Sequence, residues 1–98
     1  MSASIAIQIL PQAGSDEEVC RIVDEVIAYL ASTGLRYEVG PFETAVEGES
    51  IDELLEVAKE CQHVAARAGA EKVSSYIKTV YRPEGKVLTI DQKIGKYR

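Results

Sequence analysis

A chain of 98 residues, 46% hydrophobic and 28% charged, can build one core and is too short for two ordinary domains, so residues 1-98 are expected to form a single domain. The formal net charge of -5 argues against a nucleic-acid partner, because nucleic-acid binding requires clustered lysine and arginine. No window approaches the ~20 apolar residues of a membrane helix, and no secretory pattern opens the chain, which predicts a cytoplasmic protein without a membrane partner.

The first two predicted elements are a strand and a helix. Alternating isoleucines predict a strand over residues 3–10, which Pro11 is expected to end. A capping box that begins at Ser15 is followed by apolar residues at spacings of three and four. This pattern predicts a helix over residues 16–32 that stops before Gly34.

The middle of the chain is predicted to form a hairpin. Alternation indicates strands over residues 35–39 and 44–48, and Gly40 to Glu43 are expected to form the loop between them. The loop must hold an even number of residues if Val39 and Val46 are both to face the core. A shift by one residue would turn every side chain of a strand to the other face.

The last part of the chain is predicted to contain a helix over residues 51–68, a strand over residues 72–82 and a short helix after a capping box at Thr89. The longer helix has Ser50 as its cap. Its predicted apolar stripe consists of Ile51, Leu54, Leu55, Ala58, Cys61, Ala65 and Ala68.

The order βαββαβ plus a terminal helix predicts an α+β fold, a ferredoxin-like sandwich with a four-stranded antiparallel sheet and two helices on one face. The other face, called the open face below, combines polar residues with Ala6, Tyr76 and Val80. We therefore expect a homo-oligomer, dimer or tetramer, that uses the open face and the C-terminal helix. A half-solvated face in a monomer is the alternative.

The residues offer little for catalysis. Nucleotide-binding glycine motifs and Ser/His/Asp sets are absent from the sequence, and His63 is its one histidine. Cys20 and Cys61 stand far apart and suit reduced, partly buried thiols. We expect no catalytic residue, no metal and no cofactor.

A binding cleft is predicted where the first strand ends, between the sheet and the first helix. Ser15, Phe42 and Thr44, with Tyr37 below them, would bring aromatic rings and hydroxyls together there, a combination that suits a flat heterocycle. Alternatively, Tyr37 belongs to the core and Ser15 is only a helix cap.

Two stretches resemble a known family. The residues YEVGP at 37–41, with Thr44 and VEGE at 46–49, and the ending TIDQKIGKYR at 89–98, resemble the small cytosolic thiamine-binding family, the YKOF-like or MTH-type uncharacterised proteins. The resemblance implies a ferredoxin-like protomer that forms dimers and tetramers through its sheets, has no known catalytic activity and binds thiamine or its hydroxymethylpyrimidine moiety.

Carried over by residue, the threonine and Glu-Gly positions of the family fall on Thr44, Glu47 and Gly48. Many members have Met-Gly where this chain has Phe42 and Glu43. The parity of Glu47 puts it on the open face, so it would complement a cationic ligand only at an interface between protomers.

The resulting hypothesis is a cytoplasmic binding protein for thiamine or hydroxymethylpyrimidine, a carrier or sensor without catalysis. Its expected ligand contacts are Ser15, Tyr37, Phe42, Thr44 and Glu47. A structural or regulatory homo-oligomer with no specific small ligand, and a small ferredoxin-like enzyme, are the alternatives.

Overall fold

Strands and helices follow one another along the chain in the predicted order. The computed structural model describes residues 2–98 and contains β1 (Ala3–Gln12), α1 (Asp16–Ser32), β2 (Tyr37–Val39), β3 (Thr44–Gly48), α2 (Ile51–Arg67), β4 (Lys72–Tyr81), α3 (Ile90–Ile94) and a 3₁₀ turn at Gly95–Tyr97. The sheet is antiparallel with the strand order β2-β3-β1-β4, and α1 and α2 pack on one face of it. The ferredoxin-like α+β fold is therefore confirmed.

The core lies between the sheet and the two long helices. Ile5 of β1 stands opposite Val46 of β3, and both are almost fully buried against the helices. The largest fully buried side chains are Ile22, Leu30, Leu54, Val46 and Cys61. No helix within residues 2–98 has the length and apolarity needed to cross a membrane.

The apolar stripe of α2 differs from the prediction at two residues. Leu55 is 45% exposed, whereas Val57 is buried. Successive residues of an α-helix lie about 100° apart, so Leu55 cannot share the face of Leu54. The buried positions recur at spacings of three and four: Leu54, Val57, Ala58, Cys61 and Ala65.

The central hairpin has the predicted register. Val39 pairs with Thr44 and Tyr37 with Val46, so four residues form the loop. The loop is closed by the Gly40 amide, which donates a hydrogen bond of 2.9 Å to the Glu43 carbonyl. Leu35 and Arg36 lie outside β2, which is shorter than predicted. The side chain of Thr44 therefore lies on the sheet face that carries the core.

The sequence predicted that the first strand would end at Pro11, but β1 continues to Gln12. The Ser2 carbonyl accepts a hydrogen bond from the Arg82 amide, so even-numbered residues of β1 bond toward β4 and odd-numbered ones toward β3. Pairing with β3 stops at Ile7. Pro11 faces the empty edge beyond, where its missing N–H costs no ladder bond.

The C-terminal segment lies across the open face, where two contacts attach α3 to the sheet. Glu47, which is 5% exposed, accepts a hydrogen bond of 3.0 Å from the Ile90 amide to its Oε2. At the surface, an Arg36 guanidinium nitrogen lies 2.9 Å from Asp91 Oδ1. Thr89 and Gln92 form the predicted capping box of α3.

Candidate functional site

A cleft of about 200 Å³ opens between α1 and the β2–β3 loop, beside the end of β1. It exists because β3 begins at Thr44, opposite Ile7, while β1 runs on for five more residues without a partner on that side. The walls are mostly apolar. The lining residues are Ile7, Gln8, Ile9, Leu10, Val23, Val26, Ile27, Leu30, Val39, Gly40, Pro41, Phe42, Glu43 and Thr44.

Thr44 is a polar residue in this apolar lining. It is only 9% exposed, and its hydroxyl forms no hydrogen bond with any residue in the described range 2–98. The hydroxyl is not sealed off from solvent either. A nearly buried hydroxyl without a protein partner is available to a bound molecule as both donor and acceptor.

The unpaired edge of β1 supplies backbone groups to the same cleft. Backbone groups of β1 point alternately toward β4 and toward β3, and the hydrogen bond from the Arg82 amide to the Ser2 carbonyl shows that even-numbered residues point toward β4. The N–H and C=O of Ile9 therefore point toward the β3 side. β3 does not reach that far, since its last pair with β1 joins Thr44 to Ile7. A ligand lying in the cleft would meet one donor and one acceptor, spaced as in an extended strand.

The loop that closes the cleft presents an aromatic ring. Phe42 is 79% exposed and lines the cleft from the loop. The loop is tight at Gly40, where a Cβ atom would stand only 2.8 Å from the Glu43 carbonyl oxygen. Gly40 therefore determines the path of the loop and the place of Phe42.

The charged residue at this rim is already paired. Glu43 Oε1 lies 2.8 Å from Lys78 Nζ on the outer strand. This ion pair joins the loop to β4 across the open face, and both side chains keep substantial exposure. Exposed pairs of this kind are weak, so Glu43 could rearrange toward a cationic ligand at small cost.

Three of the five predicted ligand contacts do not line the cleft. Ser15 is the exposed cap of α1, and its Oγ accepts a hydrogen bond from the Glu18 amide at 3.2 Å. Tyr37 packs against the core below the cleft. Glu47 lies on the other face of the sheet, as its parity required, and binds the Ile90 amide. The structure thus brings Phe42 and Thr44 together and places Tyr37 beneath them.

The sequence prediction placed the cleft beside the first helix but did not identify the α1 residues that line it, such as Val23 and Ile27, or the free backbone of Ile9. Both follow from the mismatch in length between β1 and β3. The signal was present, because a proline can sit within a strand only where its missing N–H has no partner to lose. Had residues 3–12 been recognised as one strand, the empty edge would have followed.

A second cleft, of about 290 Å³, lies on the open face under α3. Small side chains form its floor, with Ala6 directly opposite Ala45. Val80 and Leu88 contribute to its apolar walls, and four charged residues surround it: Glu38, Glu43, Lys78 and Lys93. This second cleft belongs to the open face, which the sequence predicts to mediate self-association.

Groups suited to covalent or metal chemistry are not gathered in either cleft. Within residues 2–98 no three His, Cys, Asp or Glu side chains stand close enough to hold a metal ion. His63 is exposed on α2. Burial raises the pKa of the Cys61 thiol to about 12, so this cysteine stays protonated and unreactive at neutral pH.

The chain is similar to known proteins over nearly its whole length. A family model described as thiamine-binding protein matches residues 5–98. A UPF0045 protein of Clostridium perfringens is 43% identical over 97 residues, which cover 99% of this chain and 98% of that one. A structure from Bacillus cereus, described as a domain of unknown function DUF77, is 43% identical with a TM-score of 0.86 and covers 100% of this chain and 91% of its own.

A protein of Thermotoga maritima, provisionally assigned to thiamine biosynthesis or salvage, is similar to the chain in structure. It is 31% identical, has a TM-score of 0.83, and the alignment covers 100% of both chains.

Proposed function

The chain belongs to the thiamine-binding protein family, and from this premise we propose that it is a cytoplasmic binding protein for thiamine or its hydroxymethylpyrimidine moiety, a carrier or sensor without catalysis. The ligand would sit in the cleft between α1 and the β2–β3 loop. The provisional assignment of the Thermotoga maritima relative to thiamine biosynthesis or salvage supports the same ligand class.

The observation that carries the proposal is the free Thr44 hydroxyl next to the free strand edge at Ile9. An aminopyrimidine has a ring-nitrogen acceptor beside an exocyclic amine donor. The N–H and C=O of Ile9 offer the complementary pair, and Thr44 can bond a further ring nitrogen or substituent. Unmade hydrogen bonds in a nearly buried site favour a ligand that completes them.

Size and wall chemistry support the same ligand. A cleft of about 200 Å³ suits one substituted six-membered ring and is small for the whole of thiamine. The thiazolium ring would then extend toward the exposed ring of Phe42, where stacking and cation–π contact contribute about 0.5 to 2 kcal/mol. The net charge of -5 also favours a cation.

A binding role fits the residues better than a catalytic one. The polar side chains of lining residues are those of Gln8, Glu43 and Thr44, which include neither a nucleophile with an adjacent base nor a histidine. Tyr37 would support the cleft floor, Ser15 would fix the start of α1, and Glu47 would hold α3. These three residues would affect binding indirectly, by holding other elements in place. Glu47 would contact a ligand only at the interface with a neighbouring protomer.

The cytoplasmic location is part of the proposal. Cys20 is exposed and Cys61 is buried, and both are free thiols. Unpaired cysteines are typical of proteins that work in a reducing compartment.

A homo-oligomer is the second element of the proposal. Tyr76 and Val80 are 66% and 49% exposed on the open face, next to the apolar cleft under α3. Apolar surface of this kind usually marks a contact. The observation also favours the second candidate function, a structural or regulatory oligomer with no specific ligand, which ligand titration distinguishes.

Calorimetric titration with thiamine and with hydroxymethylpyrimidine tests the proposal. Loss of one hydrogen bond costs about 0.5 to 1.5 kcal/mol, so Thr44→Val should bind roughly 2- to 12-fold more weakly. Phe42→Ala should weaken thiamine more than hydroxymethylpyrimidine. Thr79→Val, an exposed threonine on β4 away from the cleft, is the matched control and should bind like wild type.

Two results would contradict the proposal. Absence of heat with both ligands would favour the oligomer without a ligand. If Thr44→Val bound normally while Glu47→Gln abolished binding, the site would lie on the open face with Glu47.

A further inference from the structure

The cleft under α3 has a free hydroxyl on its floor. Ser4 of β1 lies on the open face, between Glu47 of β3 and Val80 of β4. It is 8% exposed and lines the cleft. Among residues 2–98 its hydroxyl has no hydrogen-bond partner, yet the hydroxyl is not sealed off from the cleft. A nearly buried hydroxyl in this state is available to a bound molecule as donor and acceptor.

The rest of the floor and the walls suit a flat ring. Ala6 lies directly opposite Ala45, and two methyl groups leave the sheet surface flat at this place. Apolar side chains rise at the sides, from Val80 of the sheet and from Leu88 and Ile94 of the C-terminal segment. A volume of about 290 Å³ accommodates one substituted ring lying on the sheet.

The charges at the rim leave one cation free. Glu43 Oε1 lies 2.8 Å from Lys78 Nζ, and the Glu38 carboxylate lies within 3.7 Å of two arginine side chains. Lys93 of α3 is exposed at the same rim, and its ammonium group has no partner among residues 2–98. Residues 86–98 contain three lysines, one arginine and one aspartate, a net charge of +3 in a chain of net charge -5. This rim therefore favours an anionic ligand.

We propose that the cleft under α3 is a second ligand site, which binds a small aromatic carboxylate. The carboxylate pairs with Lys93, the ring lies on the floor, and a hydroxyl on the ring forms a hydrogen bond with Ser4. Every lining residue belongs to one protomer, so the site needs no second copy of the chain. The thiamine cleft adjoins α1 and takes a cation, so this site does not depend on the proposed function.

A ligand in this cleft would connect α3 to the sheet. Ile90 and Ile94 of α3 line one side of the cleft, and the sheet forms its floor. Local opening of α3 removes that side of the site, so only the closed form can bind. At a ligand concentration ten times Kd, amide exchange at Ile90 should therefore slow about 11-fold.

Calorimetry with three related probes tests the assigned contacts. The probes are 4-hydroxybenzoate, benzoate, which lacks the ring hydroxyl, and 4-hydroxybenzamide, which has the same shape without the charge. We expect 4-hydroxybenzoate to bind most tightly. Loss of one hydrogen bond corresponds to roughly 2- to 12-fold in Kd, which is the expected advantage of 4-hydroxybenzoate over benzoate.

Two variants assign the contacts to residues. Ser4→Ala should weaken 4-hydroxybenzoate roughly 2- to 12-fold and leave benzoate unchanged. Lys93→Gln should weaken both carboxylates roughly 2- to 5-fold, as for an exposed ion pair, and leave the amide unchanged. Ser74→Ala and Lys86→Gln are the matched controls, because both residues are exposed and lie outside the lining.

The proposal is overturned if 4-hydroxybenzoate shows no saturable binding at millimolar concentration, or if the amide binds as tightly as the carboxylate. It is also overturned if Ser4→Ala weakens benzoate as much as 4-hydroxybenzoate, or if Ile90 exchange does not slow at saturation. Thr44→Val should bind 4-hydroxybenzoate like wild type. Loss of binding in that variant would place the probe in the thiamine cleft and refute a second site.

Discussion

The attachment of α3 to the sheet should depend on one buried carboxylate, that of Glu47. Its Oε2 accepts the Ile90 amide at 3.0 Å, and both residues are almost fully buried. Glu47→Leu keeps a side chain of similar volume at this position. It removes the hydrogen-bond acceptor and leaves the Ile90 N–H without a partner. A buried donor left unpaired costs about 1 to 3 kcal/mol.

Two variants set the scale for this effect. Glu47→Gln keeps an oxygen acceptor but replaces a charge-assisted hydrogen bond with a neutral one, which should cost about 1 kcal/mol. Asp91→Asn removes the surface ion pair with Arg36. In this pair the Arg36 side chain is 43% exposed and the Asp91 side chain is 76% exposed. Such pairs contribute about 0 to 1 kcal/mol, so this variant should be the mildest of the three.

Amide hydrogen exchange at Ile90 measures the local opening of α3. A loss of about 1 to 3 kcal/mol corresponds to exchange roughly 5- to 150-fold faster in Glu47→Leu. The reasoning is refuted if Ile90 exchanges at the wild-type rate in Glu47→Leu. It is also refuted if Asp91→Asn accelerates exchange as much as Glu47→Leu does.

Three further predictions concern the cleft and the thiols. Gly40→Ala should weaken binding of hydroxymethylpyrimidine in calorimetry, because its Cβ would meet the Glu43 carbonyl at 2.8 Å and displace the loop; unchanged affinity would contradict this role. Ser15→Ala should lower the unfolding free energy by about 1 kcal/mol in urea titration through loss of the cap, and a large loss of affinity at unchanged stability would make Ser15 a ligand contact. A thiol reagent at pH 8 should label exposed Cys20 and spare Cys61 in the native protein, and rapid labelling of both would show that Cys61 is not held protonated by burial.

Alternation and capping signals were sufficient to predict the fold. The even loop length from Gly40 to Glu43 followed from the need to direct both Val39 and Val46 to the core face, and the observed pairing of Val39 with Thr44 has that register. The helix starts followed from Ser15 and Ser50, whose hydroxyls accept hydrogen bonds in the structure. These signals are local, so they can be read from neighbouring residues in the chain.

The cleft could be predicted only in part, because its shape depends on distant segments. The hairpin register brings Phe42 and Thr44 to the lining of the cleft, and their contact with a ligand stays a prediction. The free edge at Ile9 depends on β1 being longer than β3, and Pro11 concealed that length. The contact of Glu47 with Ile90 joins residues 43 positions apart, a pairing that alternation cannot reveal. Residue type suggested chemistry, and only the packing showed which cavity each residue could reach.

The most direct test of the central claim is to map the ligand on the protein by amide chemical shifts during titration with hydroxymethylpyrimidine. We predict saturable shifts at Ile9, Phe42 and Thr44, with Val23 and Ile27 of α1 among the affected residues. Residues that line the open-face cleft, such as Ala45 of the sheet and Ile94 of α3, should stay unchanged. Absence of any shift at saturating ligand, or shifts confined to Ala45 and Ile94 on the open face, would contradict the assignment of the cleft.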